Sequence, residues 1–365
     1  MFMVKDLNEN ISKQISNNLN NYSEKIIELQ YSLQPELIIK YNKLQKDKFL
    51  EDIKSTLNFL SVSIRVGSKE LYFSYIRWLT KLVKKIKIPM EEILVNFQCI
   101  KEVINSEIVL DEGSIINEYI DESIKYLISM YESENIEKKT NLICIEMREF
   151  IGYLLNFQKE KATQLILDKI EKNVDLKEIY IKYLQGALYE IGELWMEGKI
   201  SVAKEHYCTA VVQHIISLMY PYLFQNKLKK GRTMFSVSAG NELHEIGIRM
   251  VTDFFELDGW DTFYLGSNIP IHSIIKELKE RKTDLLAISI TMGNNIQFAV
   301  DLINNIKMDQ ALKDIKIVVG GRVFNEVKGL WKKIKADGYG EDAAASVKVG
   351  NKLIEEQNKY MVKEG

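Results

Sequence analysis

Proline is scarce in this chain, with four in 365 residues, and histidine is equally scarce. So few prolines, at positions 35, 89, 221 and 270, leave long helices unbroken. The three cysteines, Cys99, Cys144 and Cys208, are odd in number and far apart, and no pair has zinc-ligand spacing. That argues against a disulfide framework and a zinc site, and for reduced thiols in the cytoplasm. Charge of one sign is also missing: 49 basic residues face 51 acidic ones, for a net charge of −2. A nucleic-acid polyanion is therefore not the expected partner. No apolar run is long enough to cross a bilayer, so no membrane association is expected. The opening MFMVKDLNENISK turns polar within its first residues, so no signal peptide is expected. No histidine occurs in residues 1–135, which argues against a histidine-ligated haem there.

Two patterns fill the chain. Up to about residue 228, apolar residues recur at three- and four-residue spacing, as in FLEDIKSTLNFLSVSIRV (49–66) and KELYFSYIRWLTKLVKKI (69–86). Pro89 with Glu91 and Glu92 suits a helix start. Residues 1–135 are expected to form an all-α domain, with the polar stretch ESENIEKKTN (132–141) as linker. Residues 140–228 are expected to form a four-helix bundle, in which Gly198 stops one helix and Ser201 caps the next. After NKLKKGR (226–232) the pattern changes. Strand-length apolar runs at 233–239, 261–266, 284–290 and 315–321 alternate with helical stretches, and a short fifth strand is expected near 337–340. Residues 229–365 thus predict an α/β, doubly wound, flavodoxin-like (Rossmann-like) domain that presents ligands at the C-terminal ends of its strands.

NELHEIG (241–247) falls at the end of the first such strand. A neutral imidazole at His244 is a good metal ligand when a carboxylate such as Glu242 holds its other nitrogen. Gly247 permits close approach to the backbone. The third strand ends in Ser289-Ile290-Thr291 and the fourth in Gly320-Gly321. Taken alone, Glu-x-His fits a solvated loop histidine better than a ligand. The combination resembles the cobalamin-binding domain family, which carries Asp-x-His-x-x-Gly, Ser-x-Leu and Gly-Gly at nearly fixed separations. Here 41 residues separate Gly247 from Ser289 and 28 separate Thr291 from Gly320. YGEDAAASVKVGNKL (339–353) resembles that family's closing segment, and the likeness covers roughly 140–365. It implies that His244 is the lower cobalt ligand of a cobalamin whose own base is displaced. It also implies a nucleotide tail beside Ser289 and Thr291, with Gly320 and Gly321 leaving room for it. Glu242 stands where Asp is commoner, and Thr291 where Leu is.

ELWMEGKISVAKEHYC (193–208) resembles the Trp-x9-Glu-His signature of light-responsive cobalamin photoreceptors of the CarH type. The likeness implies that Trp195, Glu205 and His206 cap an adenosyl group on the upper face. Met196 departs from that family, which has a histidine there. His214 and His272 are read as a packed or partly exposed helix residue and a helix start. The stretch 56–104 resembles, more loosely, the helical module of photocobilins, which pair cobalamin with biliverdin. It implies a bilin pocket from Phe73, Tyr75, Arg77, Trp78 and Phe97, although aromatics at helical spacing are usually core. Cys99 fits an inert buried thiol better than a bilin attachment point.

The expectation is therefore a non-enzymatic light sensor. It would hold adenosylcobalamin, with biliverdin as a possible second chromophore, and signal through oligomerisation or a downstream protein. The alternative is a corrinoid methyl carrier serving a methyltransferase, whose upper face must stay open to its partner. A storage protein or mutase subunit fits less well, since a mutase needs a substrate barrel.

Overall fold

The computed structural model describes residues 2–108, 110–132, 145–224 and 229–364. Cys144 and most of the expected linker 132–141 lie outside them. In chain order the elements are α1 (Phe2–Asn17), α2 (Leu19–Leu33), α3 (Glu36–Lys40), α4 (Lys43–Arg65), α5 (Lys69–Ile86), α6 (Met90–Glu107) and α7 (Leu110–Glu132). There follow α8 (Ile145–Leu155), α9 (Lys159–Glu171), α10 (Leu176–Glu178), a π-helical turn (Ile179–Gln185), α11 (Gly186–Met196) and α12 (Val202–Leu223). The remainder alternates: β1 (Thr233–Ser238), α13 (Ile246–Leu257), β2 (Asp261–Gly266), α14 (Ile271–Glu280), β3 (Leu285–Ser289), α15 (Ile296–Met308) and β4 (Lys316–Gly320). It closes with α16 (Arg322–Glu326), α17 (Leu330–Lys333), β5 (Gly338–Gly340) and α18 (Ala343–Glu364).

The chain separates into two compact units. The first holds Met1–Ile136 together with Thr291–Asp301 and Arg322–Lys335. Its core is drawn from α1, α2 and α4 to α7, with Ile11, Ile26, Leu60, Tyr72, Ile76, Phe97 and Ile100 all buried. The capping box on α4 pairs Asn42 with Gln45 and fixes where that helix begins. The α4–α5 corner packs on the segment after β3. A Cβ on Gly293 would lie 2.7 Å from Phe59 and 2.9 Å from Leu71, so only glycine fits there without displacing them. Arg65 pairs with Asp301 at 2.9 Å nearby.

The second unit holds Glu137–Ile290, Leu302–Gly321 and Ala336–Gly365. Its strands form one parallel sheet in the order β2-β1-β3-β4-β5. The chain leaves β1 toward β2 on one side and toward β3 on the other, so the topological switch point lies between β1 and β3. β1 and β3 are almost wholly buried, as a sheet covered on both faces requires. One core runs from the helical layer α8–α12 into the sheet, joining Phe150, Ile191, Val212 and Ile216 to Phe254, Phe255 and Trp260. Each such side chain contributes roughly 1.5–3 kcal/mol on burial.

A polar seam, buried at Asp253 and exposed at Ser217, borders this core. Tyr180, in the π-helical turn, donates to Asp253 Oδ2 of α13 at 2.7 Å. Arg249, one turn earlier on α13, donates to Tyr220 OH at 3.3 Å and to Ser217 Oγ at 3.0 Å. Burial pushes the Asp253 carboxyl up to about 6, although Tyr180 and Arg249 pull the other way. A native pKa above the unfolded value favours folding below the unfolded pKa, and that advantage disappears as pH rises through the native one. Asp253→Asn should therefore gain stability relative to the parent between pH 4 and 7, by up to about 3 kcal/mol. Urea midpoints at pH 4.5 and 7.5 check this. A difference that does not change with pH would refute the buried-carboxylate account.

Among the described residues no helix is long and apolar enough to cross a membrane.

Candidate functional site

β1 ends at Ser238, and the backbone turns through Ala239 and Gly240, whose φ is +57°. The turn puts Glu242 inside and His244 outside. Only 1% of the Glu242 side chain is exposed, against 60% for His244. The carboxylate Oε1 pairs with His244 Nδ1 and accepts from the His244 backbone N–H at 3.4 Å. A buried carboxylate on Nδ1 selects the tautomer with its proton there and its lone pair on Nε2, the form a metal needs. The longer Glu in place of Asp thus reaches the imidazole without difficulty. Among the described residues no cluster of three His, Cys, Asp or Glu converges as a metal site. A single histidine oriented by a carboxylate suits a metal that brings its other ligands with it.

Glu245, which the sequence reading passed over, anchors the turn. It accepts from Tyr264 OH at 2.9 Å and Ser267 Oγ at 3.3 Å, both at the end of β2. It also accepts from Gln213 Nε2 of α12 at 3.4 Å. Gly247 opens α13, and a Cβ there would meet nothing within 4 Å. The space beside the first turn of α13 is therefore open to a ligand.

The strand ends build the rest of the site. Ser238 pairs in register with Ser289, Ser289 with Gly320, and Gly320 with Gly340. Residues paired across a parallel ladder share a face. Ser236, two residues before Ser238, bonds Thr252 of α13 at 2.6 Å. A Cβ on Gly340 would strike Ser346 of α18. The row Ser238–Ser289–Gly320–Gly340 thus lies on the sheet face that α13 and α18 cover, and it carries no large side chain. The facing turn of α18 begins Ala343-Ala344-Ala345, small residues again. Ser289 is 7% exposed, and Thr291 follows one residue beyond.

Gly320 ends β4 and Gly321 follows it, and both lie tight against neighbouring backbone. At Gly321 φ is +100°, and a Cβ would come 2.3 Å from the Ile290 carbonyl oxygen. At Gly320 it would come 2.9 Å from the Gly340 carbonyl oxygen. The volume that glycine frees is filled by neighbouring backbone, so these residues bring the strand ends together rather than leave space.

On the helical layer, Trp195 is half-buried at the end of α11 and Met196 follows it. Gly198, with φ +73°, turns the chain, and Ser201 caps α12 by accepting from Lys204 N–H at 3.2 Å. Trp195 and Glu205 are thereby set on adjacent helices. The Glu205 carboxylate accepts from Thr209 Oγ1 at 2.9 Å and pairs with His206 Nδ1 at 2.5 Å. His206 is largely exposed. Glu205, Thr209 and Gln213 recur every four residues, so they share one side of α12. Gln213 already reaches Glu245, beside His244. Glu205 lies about 12 Å further along the helix, at 1.5 Å per residue.

The five residues of the expected bilin pocket do not share one surface. Tyr75 is buried, stacks on Phe59 with centroids 4.3 Å apart, and bonds Thr56. Phe97 belongs to the same core. Phe73 instead stacks on Tyr126, and Arg77 donates to Tyr126 OH at 3.0 Å. Trp78 is half-buried at the edge of the Tyr75 ring. Cys99 is buried, and burial pushes its thiol up to about 11, which suits an inert residue.

Comparison with known proteins places this geometry in a class. The B12 binding domain model matches residues 233–348, and a second B12 binding domain model matches 147–220. Together with the site, these matches support a cobalamin-binding module. The Phycobilisome protein model matches residues 3–127. Among individual proteins, the chain is similar to dimethylamine corrinoid protein 3 of Methanosarcina acetivorans. The two are 24% identical over 209 residues, 57% of this chain and 96% of that protein. Trimethylamine corrinoid protein of Methanosarcina barkeri is also 24% identical, covering 53% of this chain and 91% of its own. The structure of the Methanosarcina barkeri monomethylamine corrinoid protein shares the fold with a TM-score of 0.51 and 21% identity, over 56% of this chain and 96% of that one.

Proposed function

We propose that residues 140–365 form a corrinoid carrier that presents its cofactor to a partner methyltransferase, and that the chain itself is not an enzyme. The observation that supports this best is the buried Glu242 holding the exposed His244 at the switch point of a sheet whose relatives are methylamine corrinoid proteins. The carrier, given above as the alternative, thus fits better than the light sensor.

A bound corrinoid supplies a cobalt–carbon bond that can be made and broken. The chain's residues do the rest. His244 would offer Nε2 to the cobalt, and Glu242 would hold the Nδ1 proton and keep the ring in place. Ser289, Thr291 and the small residues beside them would receive the nucleotide tail. Trp195, Glu205 and His206 belong to the helical layer of the same unit, and the carrier reading requires that layer to leave the cobalt accessible to the partner.

A light-sensing role rests on a separate observation. The Trp-x9-Glu-His spacing, beside the Phycobilisome protein match over 3–127, is what suggests it. In that reading adenosylcobalamin and biliverdin are the cofactors.

One experiment separates the two. The protein is expressed with biliverdin, reconstituted with adenosylcobalamin in the dark, and its visible spectrum recorded before and after green light. The carrier reading expects a protein-bound, base-off corrinoid that is no more photolabile than the free cofactor, and no far-red band. Light-accelerated loss of the adenosyl group, or a far-red band, would overturn it in favour of the sensor.

A further inference from the structure

The Ser238 hydroxyl has no hydrogen-bond partner, although the residue is fully buried. An unpaired buried hydroxyl is costly, on the order of 1–3 kcal/mol, and fits a group that is satisfied only when something binds. Its position says what that something is. Ser238 is the last residue of β1 and pairs in register with Ser289 of β3. Both face the side of the sheet covered by α13 and α18. Ser236, one layer below, has its own partner in Thr252, so the lower part of this face is closed by protein. Beside it the row continues into Gly320 and Gly340, and α18 faces Gly340 with Ser346, which follows Ala343 to Ala345. Two serines are therefore register neighbours on a sheet face lined by small residues, at the strand ends next to the His244 turn. A flat heteroaromatic ring suits such a lining: small side chains meet its faces, and a pair of hydroxyls meets its edge nitrogen and neighbouring polar atoms.

We propose that Ser238 is a binding residue for the nucleotide tail of the corrinoid, acting beside Ser289 on the base. The assignment rests on the cobalamin reading above and extends it to a residue outside the recognised pattern. It makes the chain selective for corrinoids that carry a base over those that lack one.

The test compares hydroxocobalamin with diaquocobinamide, which has the same corrin and cobalt but no nucleotide. Each is titrated into the full chain and followed by visible absorption. Ser238→Ala should weaken hydroxocobalamin binding roughly three- to tenfold, the worth of one hydrogen bond, and leave cobinamide binding unchanged. Ser238→Thr, which keeps the hydroxyl, should restore most of the loss. Unchanged cobinamide affinity also establishes that the variant is folded. Equal losses for both ligands, or no loss for hydroxocobalamin, would overturn the assignment while leaving the carrier reading intact. A parent chain that binds neither ligand would overturn both.

Discussion

His244→Ala is expected to cost more than about 100-fold in hydroxocobalamin affinity, beyond what loss of a ligand's supporting hydrogen bond alone costs. The bound spectrum should also lose the signature of a protein imidazole on cobalt. Glu242→Gln should fall between variant and parent, at about 10- to 100-fold, because the ring stays but its tautomer and orientation are no longer enforced. The His244 side chain is 60% exposed, so its removal should move the melting temperature little. Visible titration and thermal melting of the same samples separate the two effects. An alanine variant with the parental spectrum and affinity would remove His244 from the site.

The largest effect on stability is expected at Gly321. A Cβ there adopts a left-handed φ of +100° and overlaps the Ile290 carbonyl oxygen at 2.3 Å. Neither atom can yield without disturbing the β3–β4 ladder, since Ile290 N donates to Gly320 O at 2.9 Å. Gly321→Ala should cost about 3 kcal/mol or more. Gly247→Ala is the informative partner. Its Cβ meets nothing within 4 Å and its backbone is helical, so stability should hold or rise slightly. Corrinoid affinity should fall there, because the added methyl enters the space left for the ligand. Thermal melts of both variants test the contrast. Equal melting temperatures would show that the β3–β4 ends tolerate a side chain.

Much of the α/β half could be read from the residues. IKIVVGG and DLLAISI are too short and too apolar for surface helices, and punctuation by NELHEIG and SNIP marks the turns. The position of His244 followed from that alternation, because a strand's last residue and a helix's first bracket it closely. What escaped is instructive. Asp253 lies in TDFFELDGW with nothing local to show that Tyr180, 73 residues earlier, will bond it. The π-helical turn at Ile179–Gln185, IYIKYLQ, has no glycine or proline to mark its wider winding in the sequence. Ser238 reads as one more strand residue until the register sets it beside Ser289. At Gly320 and Gly321 a Cβ would meet backbone, a contact that the sequence does not display. A glycine admits either a ligand or another piece of backbone, and only coordinates say which. In the helical domain, α5 sends Tyr75 inward and Phe73 and Arg77 toward α7. A one-dimensional list of aromatics cannot make that distinction.

The packing of Gly293 against Phe59 and Leu71 has a consequence for the order of events during synthesis. Arg65 and Asp301 are 236 residues apart, and Lys333, which donates to the Gly67 carbonyl, is 266 residues from it. At about 5–20 residues per second, the ribosome delivers Gly293 roughly 10–50 s after Leu71. During that interval the α4–α5 corner has none of its later covering, and Leu71, fully buried in the finished protein, stays accessible. The helical domain is thus made first and completed late, by a segment that arrives only after β3 has been made.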